Sequence, residues 1–265
     1  MERAIPIAPM SVGRVVDAGM NLARRHYRRL VILGAWGALP AALVSAFSNA
    51  LQGPSNARNF DNAGTLAAIP LGILSFLAVI LAEGAITIAV ARIVEGAENL
   101  DSLSLYRTAL GRFLPLIGSL LIFFFIAIPA LIIVPLGIWL IIRWSLSWCA
   151  IFLERAGPIT ALKRSWALTR RAFWHTLGVL LVGSIIYGIL GMIVGVVGVV
   201  ISGVITVVAG NFVATVLALS IVNIVLQVLL MPLAIAYYVV LYFELRARTE
   251  GYDLIQRAAQ ANPGP

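Results

Sequence analysis

Long apolar runs separated by short, basic connectors dominate the chain. A membrane-crossing helix needs ~20 mainly apolar residues. Six stretches reach that length: Leu30 to Leu51, Thr65 to Val94, Phe113 to about Val134, about Gly137 to Leu153, Thr176 to about Ser202, and Asn211 to about Phe243. Pro135-Leu136-Gly137 predicts a tight hairpin between the third and fourth, because Pro donates no backbone hydrogen bond and Gly tolerates positive φ. The last two runs are longer than one crossing needs. Tilt or a kink at Pro232 absorbs the excess, or residues 200–230 hold an extra or re-entrant segment.

Three connectors show helical periodicity instead. In Ser11–Arg29, Val12, Val15, Val16, Gly19, Met20, Ala23 and Tyr27 share one stripe, while Arg14, Asp17, Arg24, Arg25 and Arg28 fall mostly away from it. Leu103–Arg112 is a shorter version, with Tyr106, Leu110 and Phe113 in the same rhythm. Ile159, Leu162, Trp166 and Phe173 mark the third, opposite Lys163, Arg164, Arg170 and Arg171. An apolar stripe with a basic back suits the membrane interface. Each segment feeds an outgoing span, so the chain reads as three units of interfacial helix plus hairpin.

Composition agrees with lipid as the solvent. Of 265 residues, 61% are apolar and 11% charged, with mean hydropathy +1.00. A soluble domain carries about 25% charged residues, and this much apolar surface has no place in a water-soluble fold. With six spans, one side receives residues 1–29, 92–112, 154–175 and 244–265, which hold 17 of the 19 Lys and Arg. That asymmetry predicts an inner-membrane-type protein with both termini cytoplasmic. The expected organisation is an all-α, polytopic membrane helix bundle of about six transmembrane helices with three cytoplasmic-side amphipathic helices. Residues 1–29 form an amphipathic segment, 30–246 the membrane domain with interfacial helices near 100–112 and 158–174, and 247–265 a cytoplasmic tail. Residues 1–29 make too long a charged region for a signal peptide, so the first run is read as a retained span. The net charge of +8 sits beside apolar spans, which favours anionic headgroups over nucleic acid.

Candidate chemistry is sparse. Glu83 lies well inside the second run, where a carboxylate costs several kcal/mol unless protonated, paired or facing water. It is a proton relay or substrate-binding acid, or it hydrogen-bonds a neighbouring helix. Asn223 and Gln227, four apart on one face and at similar depth, are the expected partners. Arg143, flanked by Trp139, Trp144 and Trp148, is read in the outer half of the fourth run. It binds a lipid phosphate, pairs with Glu83 across a depth mismatch, or snorkels to the outer headgroups. Gly188, Gly191, Gly195 and Gly198 suit close helix packing. His26 and His175 read as interfacial, and Cys149 as a small buried hydrophobe. One Cys and two His build no zinc cluster, and no GxSxG, HExxH or Walker pattern occurs. No metal or cofactor is expected.

Two stretches carry more specific information. One is Glu154-Arg155-Ala156-Gly157-Pro158 followed by Ala161-Leu162-Lys163-Arg164-Ser165-Trp166-Ala167-Leu168-Thr169 and Phe173-Trp174; the other runs from Leu241 through Glu244, Arg246, Arg248 and Glu250 to Asp253-Leu254. Together with Ser11-Val12-Gly13 to Asp17, they resemble the bacterial membrane-domain family named after glycerophosphodiester phosphodiesterases. The resemblance implies a membrane region that in some relatives precedes a soluble phosphodiesterase domain and in many stands alone. This chain has no His-Arg-Gly motif and no carboxylate-rich metal site, so the enzymatic activity is not carried over.

In the two stretches, Glu154, Glu244, Glu250 and Asp253 face Lys163, Arg164, Arg170, Arg246 and Arg248 as a charge network that fastens the third amphipathic helix to the end of the sixth span. Pro158 starts that helix. The expected function is a non-enzymatic module that organises anionic lipid, or anchors a protein partner, at the cytoplasmic face. The alternative is a small transporter of a lipid-like or amphipathic solute, with Glu83, Asn223, Gln227 and Arg143 along its path.

Overall fold

The computed structural model describes residues 9–56, 63–97, 100–209 and 212–251, and every regular element among them is an α-helix. The order falls into three sets, each opened by a short amphipathic helix. α1 (Val12–Arg25) precedes the hairpin α2 (Tyr27–Asn56) and α3 (Ala63–Val94). α4 (Ser102–Leu110) precedes α5 (Phe113–Ala130), which turns back into α6 (Val134–Trp144) and α7 (Ser147–Glu154). α8 (Pro158–Arg170) precedes α9 (Phe173–Ala209) and α10 (Phe212–Glu250).

Ile69–Val94, Phe113–Ala130, Val134–Glu154, Phe173–Val208 and Ile224–Glu250 are long and apolar enough to cross a membrane. The first predicted span falls within α2, where side chains over most of the second half lie outside the described residues. Large apolar side chains such as Phe125, Met192, Val196, Val200 and Val207 are exposed on α5 and α9. Hydrocarbon solvates such faces, whereas water would not. The chain is therefore an all-α membrane bundle.

Its tight core lies where the amphipathic helices meet the C-terminal halves of α3 and α10. Ile86, Val90, Leu105, Leu146, Ile151, Leu168, Leu241 and Leu245 are all fully buried there. The stripe of α1 goes into this core rather than into lipid, which changes its predicted interfacial role. Val15, Val16, Gly19, Leu22 and Ala23 are buried, and a Cβ on Gly19 would stand 2.5 Å from the Tyr237 Cα. Only a residue without a side chain permits that approach. Arg14, Arg24 and Arg25 stay exposed on the opposite face.

Three expectations shift. The hairpin predicted at 135–137 turns earlier, over Leu131–Ile133, and Pro135 sits in the first turn of α6, where its missing N–H is harmless. Gly137 is needed for contact instead, since its Cβ would lie 2.7 Å from the Leu131 Cα. The fourth run is two helices, broken at Ser145–Leu146. Residues 200–230 hold no separate re-entrant element among the described residues, because α9 and α10 are continuous over 37 and 39 residues. At ~1.5 Å per residue each is far longer than the ~30 Å hydrocarbon layer.

The glycine packing matches expectation at Gly198 and differs at Gly188, Gly191 and Gly195. A Cβ on Gly188 or Gly195 would meet no described atom within 4 Å, and one on Gly191 would make only an ordinary 3.7 Å contact with Leu230. The close approaches are at Gly183, where a Cβ would stand 2.7 Å from the Tyr237 ring, and at Gly198, where it would run into the Val222 side chain. Positions 183, 191 and 198 follow the 3.6-residue repeat and form the stripe facing α10; 188 and 195 lie beside it.

Gly19→Ala should lower the thermal unfolding midpoint in detergent. Overpacking costs ~1–3 kcal/mol, more than the up to ~1 kcal/mol gained in helix propensity. Gly13→Ala, with nothing within 4 Å, should be neutral or stabilising. A Gly19→Ala protein melting at or above the parent would contradict this docking of α1.

Candidate functional site

The break between α6 and α7 leaves backbone groups without helical partners. Ser165, fully buried on α8, supplies them from outside. Its Oγ donates to the Arg143 carbonyl at 2.7 Å and accepts from the Leu146 N–H at 3.2 Å. One hydroxyl thus closes both sides of the break. Thr169 Oγ1 lies 3.4 Å from the same carbonyl. Neither residue stood out in the sequence as more than part of a basic helix, although two serines inside an apolar run, Ser145 and Ser147, marked the break.

A second clasp is ionic. Arg164 Nε and Nη2 each donate to Glu154 at 2.8 Å, a two-point pair, and Arg164 Nη1 reaches Glu250. Arg246 Nε lies 3.4 Å from Glu154 and 3.5 Å from Glu250. Four charges from α7, α8 and α10 therefore alternate in sign. Burial disfavours the charged guanidinium of Arg164, but its hydrogen bonds and attraction to Glu154 and Glu250 outweigh this and raise its pKa.

Glu244 makes a third clasp. It is fully buried, pairs with Arg248, lies 3.3 Å from His175 Nε2, and accepts from the Met10 N–H at 3.2 Å. Arg248 Nη2 in turn donates to the Met10 carbonyl at 2.6 Å. The N-terminal segment is thereby tied to the end of α10. Of the remaining predicted network members, Lys163 and Arg170 are exposed and form no ion pair among the described residues, while Asp253 lies outside those residues.

Arg143 is buried at 9% exposure and points into three rings. Its guanidinium carbon lies 5.3 Å from the Trp139 centroid, 5.4 Å from Trp166 and 5.3 Å from Phe173. Two of those rings come from α8 and α9, the side of the amphipathic helices. This corrects its expected placement toward the outer headgroups. Aromatic faces carry negative potential and hold a weakly hydrated guanidinium well. No ion pair joins it to Glu83 among the described residues.

Glu83 lines a different place, a pocket of about 450 Å³ between α3, α5, α6–α7 and α10. Trp144, Trp148, Phe152, Tyr238 and Ser119 form much of its wall. The positions of Asn223 and Gln227 are helical, but their side chains lie outside the described residues, so the expected contact with Glu83 does too.

Beyond the clasps, the corner between α8 and α9 opens a pocket of about 560 Å³ lined by Arg170, Arg171, Phe173, Trp174, His175 and Arg248. Trp174 is 79% exposed at its edge. Among the described residues no group of three or more His, Cys, Asp or Glu is placed to hold a metal ion. Comparison with protein-family models, curated proteins and solved structures gives no match.

Arg164→Met should destabilise the bundle by ~1–3 kcal/mol, because it removes charge-assisted bonds while keeping the stem. Lys163→Met, one residue away but exposed, should stay within ~0.5 kcal/mol. Thermal unfolding of the two variants side by side checks this; equal midpoints would contradict a structural role for the clasp.

Proposed function

We propose that the protein is a non-catalytic module of the bacterial inner membrane that gathers anionic lipid at its cytoplasmic face. The supporting observation is the basic, Trp-edged pocket at the α8–α9 corner. Nearby carboxylates are turned inward: Glu154, Glu244 and Glu250 pair within the fold. Arg14, Arg24, Arg25, Arg28, Lys163, Arg170 and Arg171 remain exposed. Asp17, Glu95 and Asp101 are exposed as well, so the basic excess is local, strongest where Arg170 and Arg171 line the corner pocket. A basic juxtamembrane surface gains about 1 kcal/mol per Lys or Arg from anionic lipid, and an exposed indole favours the headgroup layer.

Both termini are cytoplasmic in this reading, with six crossings. The charge asymmetry of the connectors supports it, as does the repeated order of amphipathic helix and hairpin. The resemblance to the phosphodiesterase membrane-domain family fits a membrane-embedded module. A protein partner at the same face is compatible with this arrangement; nucleic acid is not part of it.

Solute transport is the second reading, and the Glu83 pocket is the observation that favours it. The predicted path is not assembled as expected, since Arg143 is held in its aromatic cage away from that pocket.

Two measurements test the lead reading. Protein purified from anionic and zwitterionic lipid mixtures should retain anionic lipid preferentially. Replacing Lys163, Arg170 and Arg171 with Gln should reduce that preference, by up to about fivefold per charge. Unchanged retention would remove the proposal. For topology, Arg107→Cys and Lys163→Cys should react with a membrane-impermeant maleimide only from the cytoplasmic side. The native Cys149 is buried and leaves a low background. Labelling from the periplasm would overturn the orientation.

A further inference from the structure

Glu83 is the one carboxylate among the described residues that lines a membrane-level pocket rather than closing a clasp. No hydrogen bond or ion pair reaches its carboxyl group among those residues. An amide hydrogen bond from a neighbouring helix would leave its charge in place. Trp144, Trp148, Phe152 and Tyr238 contribute rings to the surrounding wall. Ring faces repel an anion and attract a cation. A carboxylate and several rings around one space therefore share a single preferred guest: a positive charge on an apolar body.

The mouth of the pocket says where that guest comes from. Phe76, Leu120 and Ile141 on its lining are 57%, 36% and 37% exposed. On membrane-spanning helices, exposed apolar side chains face lipid. At about 450 Å³, the space falls in the range of drug-sized ligand sites, ~300–1,000 Å³.

We infer that the space between α3, α5, α6–α7 and α10 is a lateral binding site for an amphipathic organic cation, with Glu83 as its counter-ion and the indoles of Trp144 and Trp148 against the cationic head. This site is separate from the basic pocket at the α8–α9 corner and shares no lining residue with it. The two readings can therefore fail independently.

The test is equilibrium dialysis of the full-length protein in a neutral detergent, with radiolabelled tetraphenylphosphonium as probe. Tetraphenylborate, of the same shape and opposite charge, serves as competitor. The parent should bind the cation saturably, and the borate should not displace it. Glu83→Gln should weaken binding at least about tenfold, the scale of one charge contact of 1.4 kcal/mol, while Glu83→Asp retains most of it. Thermal unfolding confirms that the variants fold. Leu120→Trp, which crowds the exposed mouth and leaves Glu83 intact, should also reduce binding, so the inference stays testable if Glu83→Gln misfolds. Replacing Arg170 and Arg171 with Gln should leave cation binding unchanged. Absence of saturable binding by the parent, equal binding by Glu83→Gln, or effective competition by the borate would each overturn the assignment.

Discussion

A helix that breaks among buried apolar side chains must have its loose backbone groups satisfied from elsewhere, and much of this architecture follows from that constraint. At Ser145–Leu146 the fourth apolar run changes from α6 to α7, and the partner that closes the gap is Ser165 on another helix. An unmade buried hydrogen bond costs ~1–3 kcal/mol, so α8 cannot drift from α6–α7 without exposing two orphan groups. Once α8 is held there, Arg164 comes within reach of Glu154, and α10 is drawn in through Arg246 and Glu250. Trp166 and Phe173 then close over Arg143. The amphipathic helices are thus structural before they are interfacial. α1 spends most of its apolar stripe on protein, whereas Leu110 on α4 and Ile159 on α8 stay exposed beside the basic faces, so both kinds of group are available to headgroups.

The fold class was legible because it depends on long-range averages. Spans of apolar residues and a one-sided bias of Lys and Arg survive any error in element boundaries. Glu154, Arg164, Glu244, Arg246, Arg248 and Glu250 could be grouped because opposite charges at the ends of neighbouring elements must lie close together. The specific pairings were not legible. Arg164 takes two acids and Lys163 none, a distinction set by which residue of α8 faces α10. Likewise, a GxxxG spacing shows that backbones are able to approach, not which stripe does so. The register of α9 against α10 decided for Gly183 and Gly198.

Other features were hidden for a physical reason. The docking of α1 depends on one missing side chain, Gly19 against Tyr237, and a lone glycine in an amphipathic segment carries no signal of its partner. The turn at Leu131–Ile133 contains neither Pro nor Gly. The sequence drew attention to Pro135-Leu136-Gly137 instead, where Pro starts a helix and Gly makes room for Leu131. Arg143 was misplaced because depth was counted along a straight span, and the break at Ser145 together with the return of α8 brings rings from later helices to it.

Arg143 and Glu83 show how the same kind of wall acts on opposite charges. Both lie near tryptophans of the fourth run, and both would be costly in hydrocarbon without compensation. For the guanidinium, the faces of Trp139, Trp166 and Phe173 are themselves the compensation, and its burial follows. For the carboxylate, a ring face presented to it would carry the wrong sign. Among the described residues no cation pairs with Glu83 inside its pocket. Phe76, Leu120 and Ile141 on its lining are exposed, which is the route the proposed cation would take from the lipid phase. The polarity of aromatic rings thus accounts for the burial of Arg143 and is the same property on which the proposed cation site at Glu83 depends.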